Sequence, residues 1–282
     1  MTTFHSRERT VHRVVNLIPD SEQSILNVSV DAARQRGQSP ARLKAFTLAI
    51  ENGGDDLEHA RVFLRRTGLE FLSEEVPVGS ASVDPFEATR IIEDYKPLDV
   101  ECAAAAGALL RGIRSRYPHW RWLIDGDGGD ENLKDYPVEE NAELTIRSVV
   151  SNRMLYQEGW DVDAIKHSLT YSGGLSRGGV RGYAPSRRHG FEIVSPFTSP
   201  SVIPVAESIP FDTLSEGSLE RLYGLKDEVA VRGIRHVLGR ELPVFSKCRF
   251  QQGAMTDRTF RQIFSGNVDR YRQHFLGQYA DA

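Results

Sequence analysis

Short apolar runs alternate with amphipathic stretches through the first half of the chain. Residues 43–50 (LKAFTLAI) are apolar, short and bounded by Asn52-Gly53-Gly54, the pattern of a buried strand. Asp55 then caps a helix with apolar positions at Leu57, Ala60, Val62, Phe63 and Leu64, and Gly68 stops it. The pattern predicts a strand over 69–76, helices over 84–95 and 99–116, and another strand over 120–124 (WRWLI). The second of these helices carries Ala103, Ala104, Ala105, Ala106 and Ala108, a small-residue face suited to close packing. Repeated strand–helix units with short links imply an α/β fold, a parallel sheet with flanking helices.

After about residue 138 the pattern changes. Residues 138–156 read as a long helix, 172–190 as a Gly- and Arg-rich loop, and the remainder as loops and short helices, including 227–238 and 257–264. The expected layout is an α/β core over 1–160, followed by a mainly helical C-terminal part over 161–282 that completes the active site.

Composition narrows the setting. The chain has 282 residues, 40% hydrophobic and 26% charged, the usual balance for a soluble globular protein. Thirty-five basic against 39 acidic residues give a net charge of -4, so no global basic field attracts nucleic acid. No apolar stretch approaches the roughly 20 residues of a membrane span, and no apolar run backs the opening MTTFHSRERT, so neither a membrane nor a signal peptide is expected. Cys102 and Cys248 show neither metal-ligand spacing nor a disulfide framework, which suits a reducing cytoplasm. A homodimer is compatible with a chain of this size, and no residue pattern decides it.

The sharpest local feature is Asp125-Gly126-Asp127-Gly128-Gly129-Asp130-Glu131, which follows the strand over 120–124 directly. Ligands of open α/β sheets bind at the carboxyl ends of strands. Glycines there let backbone approach a ligand closely and adopt positive φ. Four carboxylates in seven residues repel one another unless a cation or donor groups neutralise them. Mg²⁺ suits such oxygen ligands and bridges carboxylates to phosphates, whereas the spacing lacks the twelfth-position glutamate of a calcium loop. A solvated acidic turn accounts for the same residues equally well.

That turn, with Tyr136 five residues beyond Glu131, resembles the SGxGxDE-x4-Y signature of the asparagine synthetase-type ATP pyrophosphatases, relatives of which include β-lactam synthetases and lasso-peptide cyclases. Collinear segments extend the resemblance over residues 40–260. GFEIVSPF (190–197) is similar to the family's GxExRxPF segment, and VIPVAESIP (202–210) to its helix ending in proline. Residues 226–243 are similar to the helix and proline before the catalytic lysine, and SKCRFQQG (246–253) to the lysine loop itself.

The resemblance implies an adenine nucleotide α-hydrolase-like fold and an ATP-dependent, AMP-forming ligase that uses ATP and Mg²⁺. Its substrates would be a small-molecule or peptide carboxylate and an amine or ammonia. By position, Gly126 and Gly128 would approach the nucleotide, Leu48 would line the adenine, and Asp130 would bind Mg²⁺. Asp127 would face the acyl substrate in place of a family glutamate or tyrosine. Lys247 would stabilise charge as pyrophosphate leaves and as the nucleophile attacks.

Three departures qualify it. The family's SGGxDS loop, where backbone amides cradle pyrophosphate, is replaced by Asn16-Leu17-Ile18-Pro19-Asp20-Ser21, followed by a helical stretch through Arg34. Asp20 would remain as a metal ligand and Ser21 as a cap over phosphate, but both glycines are gone and proline has no amide donor. Val194 and Ser199 replace the arginine and aspartate around PF, so substrate specificity does not carry over. The glutaminase half, with its Met-Cys start, has no counterpart in Met-Thr-Thr. Nitrogen would then come from free ammonia, a substrate amine, or a separate glutaminase or carrier protein.

The eroded glycine loop supports a second reading, a non-catalytic relative that binds a nucleotide or a protein partner. YSGGLSRGGVRGY (171–183) with Arg187 and Arg188 offers amides and guanidinium donors for an anion, and equally the composition of a mobile surface loop. HExxH, Walker A and a complete GxGxxG are missing from the sequence, and GLSRG (174–178), which has GxSxG spacing, follows no convincing strand and precedes no apolar helix, so no nucleophile elbow is expected.

Overall fold

The computed structural model of the chain describes residues 13–16, 21–51, 53–133, 182–239, 241–242, 250–264 and 268–278; at 13–16, 21, 22, 130, 131, 223, 226 and 227 it describes the backbone alone. Five strands form one sheet: β1 (Arg13–Asn16), β2 (Leu43–Ile50), β3 (Ser73–Val78), β4 (Trp122–Ile124) and β5 (Glu192–Val194). Their order is β3-β2-β1-β4-β5, and all four pairings are parallel. Parallel neighbours need crossovers, and helices supply them: α1 (Ser21–Gln35), α2 (Asp55–Thr67), and the pair α3 (Pro85–Ile92) and α4 (Pro97–Arg116).

A sheet covered on both faces buries both sets of alternating side chains. On β2, Phe46, Leu48 and Ile50 join Val76, Leu123, α3 and α4 in one core. Leu43 and Ala45, with Ile124, join Ile25, Leu26 and Val30 of α1 and Ala60, Phe63 and Leu64 of α2 in the other. The small face of α4 lets it sit close to the sheet, where a Cβ on Gly112 would overlap Val76.

Several boundaries differ from the pattern, each for a local reason. Gly54, not Asp55, is the N-cap of α2, because Gly54 is pressed against the Gly253 backbone where no side chain fits. Gly68 stops α2 in the left-handed conformation, as its lack of Cβ allows (φ 67°). Leu69 and Leu72 are then buried three residues apart, so a 3₁₀ turn (Glu70–Leu72) takes the first residues of the predicted strand. The predicted helix over 84–95 ends at Ile92. Asp94 turns the chain by accepting the N–H groups of Tyr95 (2.6 Å) and Lys96 (3.0 Å), and Pro97 opens α4. Trp120 packs against Phe46 and Tyr117, leaving β4 to begin at Trp122.

The second half begins with α5 (Gly129–Leu133), whose first three residues are the last three of the acidic run, and the predicted helix over 138–156 lies outside the described residues. Of the expected loop over 172–190, the last part is ordered as α6 (Ala184–Arg188), because Pro185 and Ser186 are buried where it packs on α3 and α4. β5, which no alternation announced, is anchored through Arg114. Its guanidinium donates to the carbonyls of His189 (2.9 Å), Pro118 (2.7 Å) and Trp120 (2.8 Å) and lies 3.8 Å from the Phe191 ring centroid.

Short helices α7 (Ile203–Glu207) and α8 (Phe211–Ser215) lead into α9 (Leu219–Leu238). That helix begins eight residues before the predicted one because the Ser218 hydroxyl caps it by accepting from Arg221 N–H. It packs against α1, α5 and α8. The chain closes with α10 (Phe250–Gly253), α11 (Asp257–Ile263) and α12 (Val268–Gly277), whose Phe264 and Tyr271 neighbourhood joins the α3–α4 core. The helical C-terminal part thus adds a strand to the sheet and side chains to its core.

Candidate functional site

The strand order reverses at β1. Chain from β1 winds outward through β2 and β3, then returns to place β4 on the other side of β1. Such a reversal opens a crevice at the carboxyl edge, because the connections on either side depart to opposite faces. Register fixes what borders it. Val15 pairs with Ile124, so Asn16 and Asp125 are the next residues on adjacent strands. The start of α1 at Ser21 and the acidic turn into α5 therefore leave from neighbouring strands.

The acidic turn is built by its own backbone. Gly128 adopts φ 88°, and Gly129 N–H donates to the Gly126 carbonyl at 3.0 Å. Asn132 N–H donates to the Gly128 carbonyl, and its side chain donates to Phe197 O at 2.6 Å, tying α5 to the segment after β5. Gly126, Gly128 and Gly129 are buried. Asp125 N–H donates to Val194 O at 3.2 Å, continuing the β4–β5 ladder by one residue.

Two carboxylates of the turn share one small space. Asp125 Oδ1 accepts the Asp127 N–H at 3.3 Å, and the Ser195 hydroxyl also donates to Asp125. A Cβ on Gly182 would meet Asp127 Oδ2 at 2.7 Å and Asp125 Oδ2 at 2.9 Å, so backbone closes over both carboxyl groups. Burial first, and the Asp127 charge second, hold the Asp125 carboxyl well above the usual carboxylate range.

The other named residues fall as follows. Leu48 is 1% exposed and enclosed in the α3–α4 core, two residues before the end of β2. Ser21 is the first residue of α1 and Asp130 the second of α5, placed by backbone only. Asp20, Tyr136 and Lys247 lie outside the described residues. α10, which begins three residues after Lys247, is held at this same edge of the sheet: Ile50 N–H donates to Ala254 O at 2.9 Å, just past the end of β2.

Asp125, Ser195 and Gly182 were not singled out from the sequence. Asp125 is visible there as the first residue after an apolar strand, but the burial that sets it apart comes from β5 and Gly182, distant in the chain. Among the described residues, no group of three or more His, Cys, Asp or Glu side chains is arranged to hold a metal ion. No described helix is long and apolar enough to cross a membrane. Comparison of the sequence with protein-family models gives no match, and no curated protein matches it.

Proposed function

We propose that this chain is an ATP-dependent, AMP-forming ligase, built on an adenine nucleotide α-hydrolase-like core, that adenylates a carboxylate and transfers the acyl group to an amine or ammonia. The observation that carries the reading is the β1–β4 register. It puts the Asp125–Asp130 turn and the start of α1 on neighbouring strands at the reversal of a parallel sheet, where such folds bind ligands.

In this reading the triphosphate lies along the turn, with Gly126 and Gly128 admitting it at backbone distance. Asp130, with Asp20, would hold Mg²⁺, which neutralises phosphate charge when bound. A substrate carboxylate oxygen attacks the α-phosphorus, the α–β phosphoanhydride bond breaks, and pyrophosphate leaves with its charge met by Lys247. The amine nitrogen then attacks the acyl carbon and AMP departs. The proton lost by nitrogen goes to Asp125, whose carboxylate is made more basic than an exposed aspartate by burial and by the Asp127 charge. Holding both reactants on one edge removes much of the entropic barrier.

ATP–pyrophosphate exchange with pooled carboxylates tests this. Label moves from pyrophosphate into ATP with the wild-type protein, and Asp130→Ala and Lys247→Ala each lower the rate by at least about 100-fold, as loss of one preorganised charge does. No exchange in the wild-type protein, or full exchange in both variants, contradicts the reading.

A further inference from the structure

Asp56, on the first turn of α2, is 4% exposed, and its Oδ1 has no hydrogen-bond partner. The carboxyl lies over the Cα of Gly253, where any Cβ would overlap it, and Gly54 is pressed in the same way against the Gly253 carbonyl. α10 is thus clamped between α2 on one side and α4 on the other. On the α4 side Gln251 is buried, accepting from Cys102 Sγ at 3.2 Å and donating to Glu101 Oε2 at 3.4 Å. The clamp fixes the segment against the carboxyl end of β2 through the Ile50–Ala254 hydrogen bond.

An ionised carboxylate in this position has a charge with too few donors and backbone packed over it, which is costly; the neutral acid is not. We propose that Asp56 is a proton-dependent latch: α10 is held on β2 and α2 most tightly while this carboxyl is protonated, and the hold weakens when the proton leaves.

Among the described residues, the charges around Asp56 leave it without compensation. On α2 its neighbours are Asp55, which adds repulsion, Glu58, which faces Arg61 at 3.7 Å, and the half-buried His59. Lys44, on β2, pairs with Glu74 at 3.1 Å, and on α2 itself Arg61 pairs with Glu75 at 2.7 Å and Arg65 with Glu70 at 3.7 Å. α10 contributes no titratable residue, and Glu101 on α4 is bonded to Gln251. Burial, with Asp55 behind it, raises the Asp56 carboxyl to about 7, in keeping with the geometry.

The docked state then binds the proton more tightly than the undocked one. Docking is strongest near the ordinary aspartate value of about 4, weakens about tenfold per pH unit up to about 7, and levels off above that. The latch itself does not depend on the ligase reading. Its consequence does: α10 begins three residues after Lys247, so a looser hold would lower the ligase rate.

Amide hydrogen exchange, corrected for intrinsic rates, tests the latch at Ile50 N–H across pH 4.5–8.5, with Phe63 and Leu64 as controls for global opening. The Ile50 protection factor falls about tenfold per unit up to about pH 7 and then flattens. In Asp56→Asn the slope disappears, and in Gly253→Ala protection is low at every pH while the controls are kept. A flat wild-type profile, a slope retained in Asp56→Asn, or full protection in Gly253→Ala overturns the proposal. If Asp56→Asn does not fold, the carboxyl ¹³C titration of wild-type Asp56 decides: a midpoint near 7 supports the latch and one near 4 overturns it. Failure of ATP–pyrophosphate exchange leaves these readouts untouched.

Discussion

Asp125 and Asp127 are two residues apart on a turn, and their carboxyl groups share one enclosed space. Asp125 is reached by the Ser195 hydroxyl, the Asp127 amide and the Gly182 backbone, and its carboxyl is held well above its ordinary range by burial and by its neighbour's charge. The folded protein therefore binds this proton more tightly than the unfolded chain does. The fold is favoured at low pH by this group, and the advantage is lost as pH rises from about 4 through the raised value. Asp125→Asn removes that loss while keeping the shape. The variant's Tm is expected to exceed the wild-type value by more at pH 8 than at pH 5, which differential scanning calorimetry reads directly. An advantage that is equal at both pH values, or reversed, contradicts the assignment.

The acidic run itself is plain in the sequence. Which of its members is enclosed is not, because Ser195 and Gly182 reach it from residues more than fifty positions away. Asp56 was hidden for a related reason. Its neighbour Leu57 is the apolar residue a helical pattern would bury, whereas the backbone of α10 selects Asp56 instead. Helix periodicity reports a face, and it does not report a distant segment that closes over one position.

At the scale of elements, β2 spans the residues that its apolar run predicts, and α2 stops at the predicted glycine, because each boundary is written in adjacent residues. β5 was not legible: three residues are too few for alternation to show, and its place depends on pairing with β4 and on the Arg114 anchor. The small-residue face of α4 was legible as a motif, and its consequence is now concrete at Gly112. Alanine normally favours a helix over glycine by about 1 kcal/mol. Here the added Cβ would overlap Val76, and overpacking of this kind costs about 1–3 kcal/mol, so the steric cost wins. Gly112→Ala is expected to lower stability by up to about 2 kcal/mol in urea unfolding. Adding Val76→Ala relieves the overlap, so the double variant loses less than the sum of the two single changes. Strict additivity would show that α4 and β3 do not meet at this point.

For the whole molecule, a parallel sheet with flanking helices was legible in the order of strands and helices, but the reversal at β1 and the neighbours across the crevice were not. Only the register places Asn16 beside Asp125. That adjacency sets the acidic turn beside the end of β1. The two halves of the chain also meet here, since α5 is bonded to the segment after β5 and α10 is fixed at the end of β2.

A nucleotide bound only by the folded state stabilises it by about 2.7 kcal/mol at 100 times its dissociation constant. Isothermal calorimetry of Mg-ATP against the wild-type protein and Asp130→Ala puts the central claim to its most direct test. Saturable binding at one site per chain is expected for the wild type, with a matching rise in Tm, and loss of both in the variant. No heat and no change in Tm at millimolar Mg-ATP, or unchanged binding by Asp130→Ala, would contradict it.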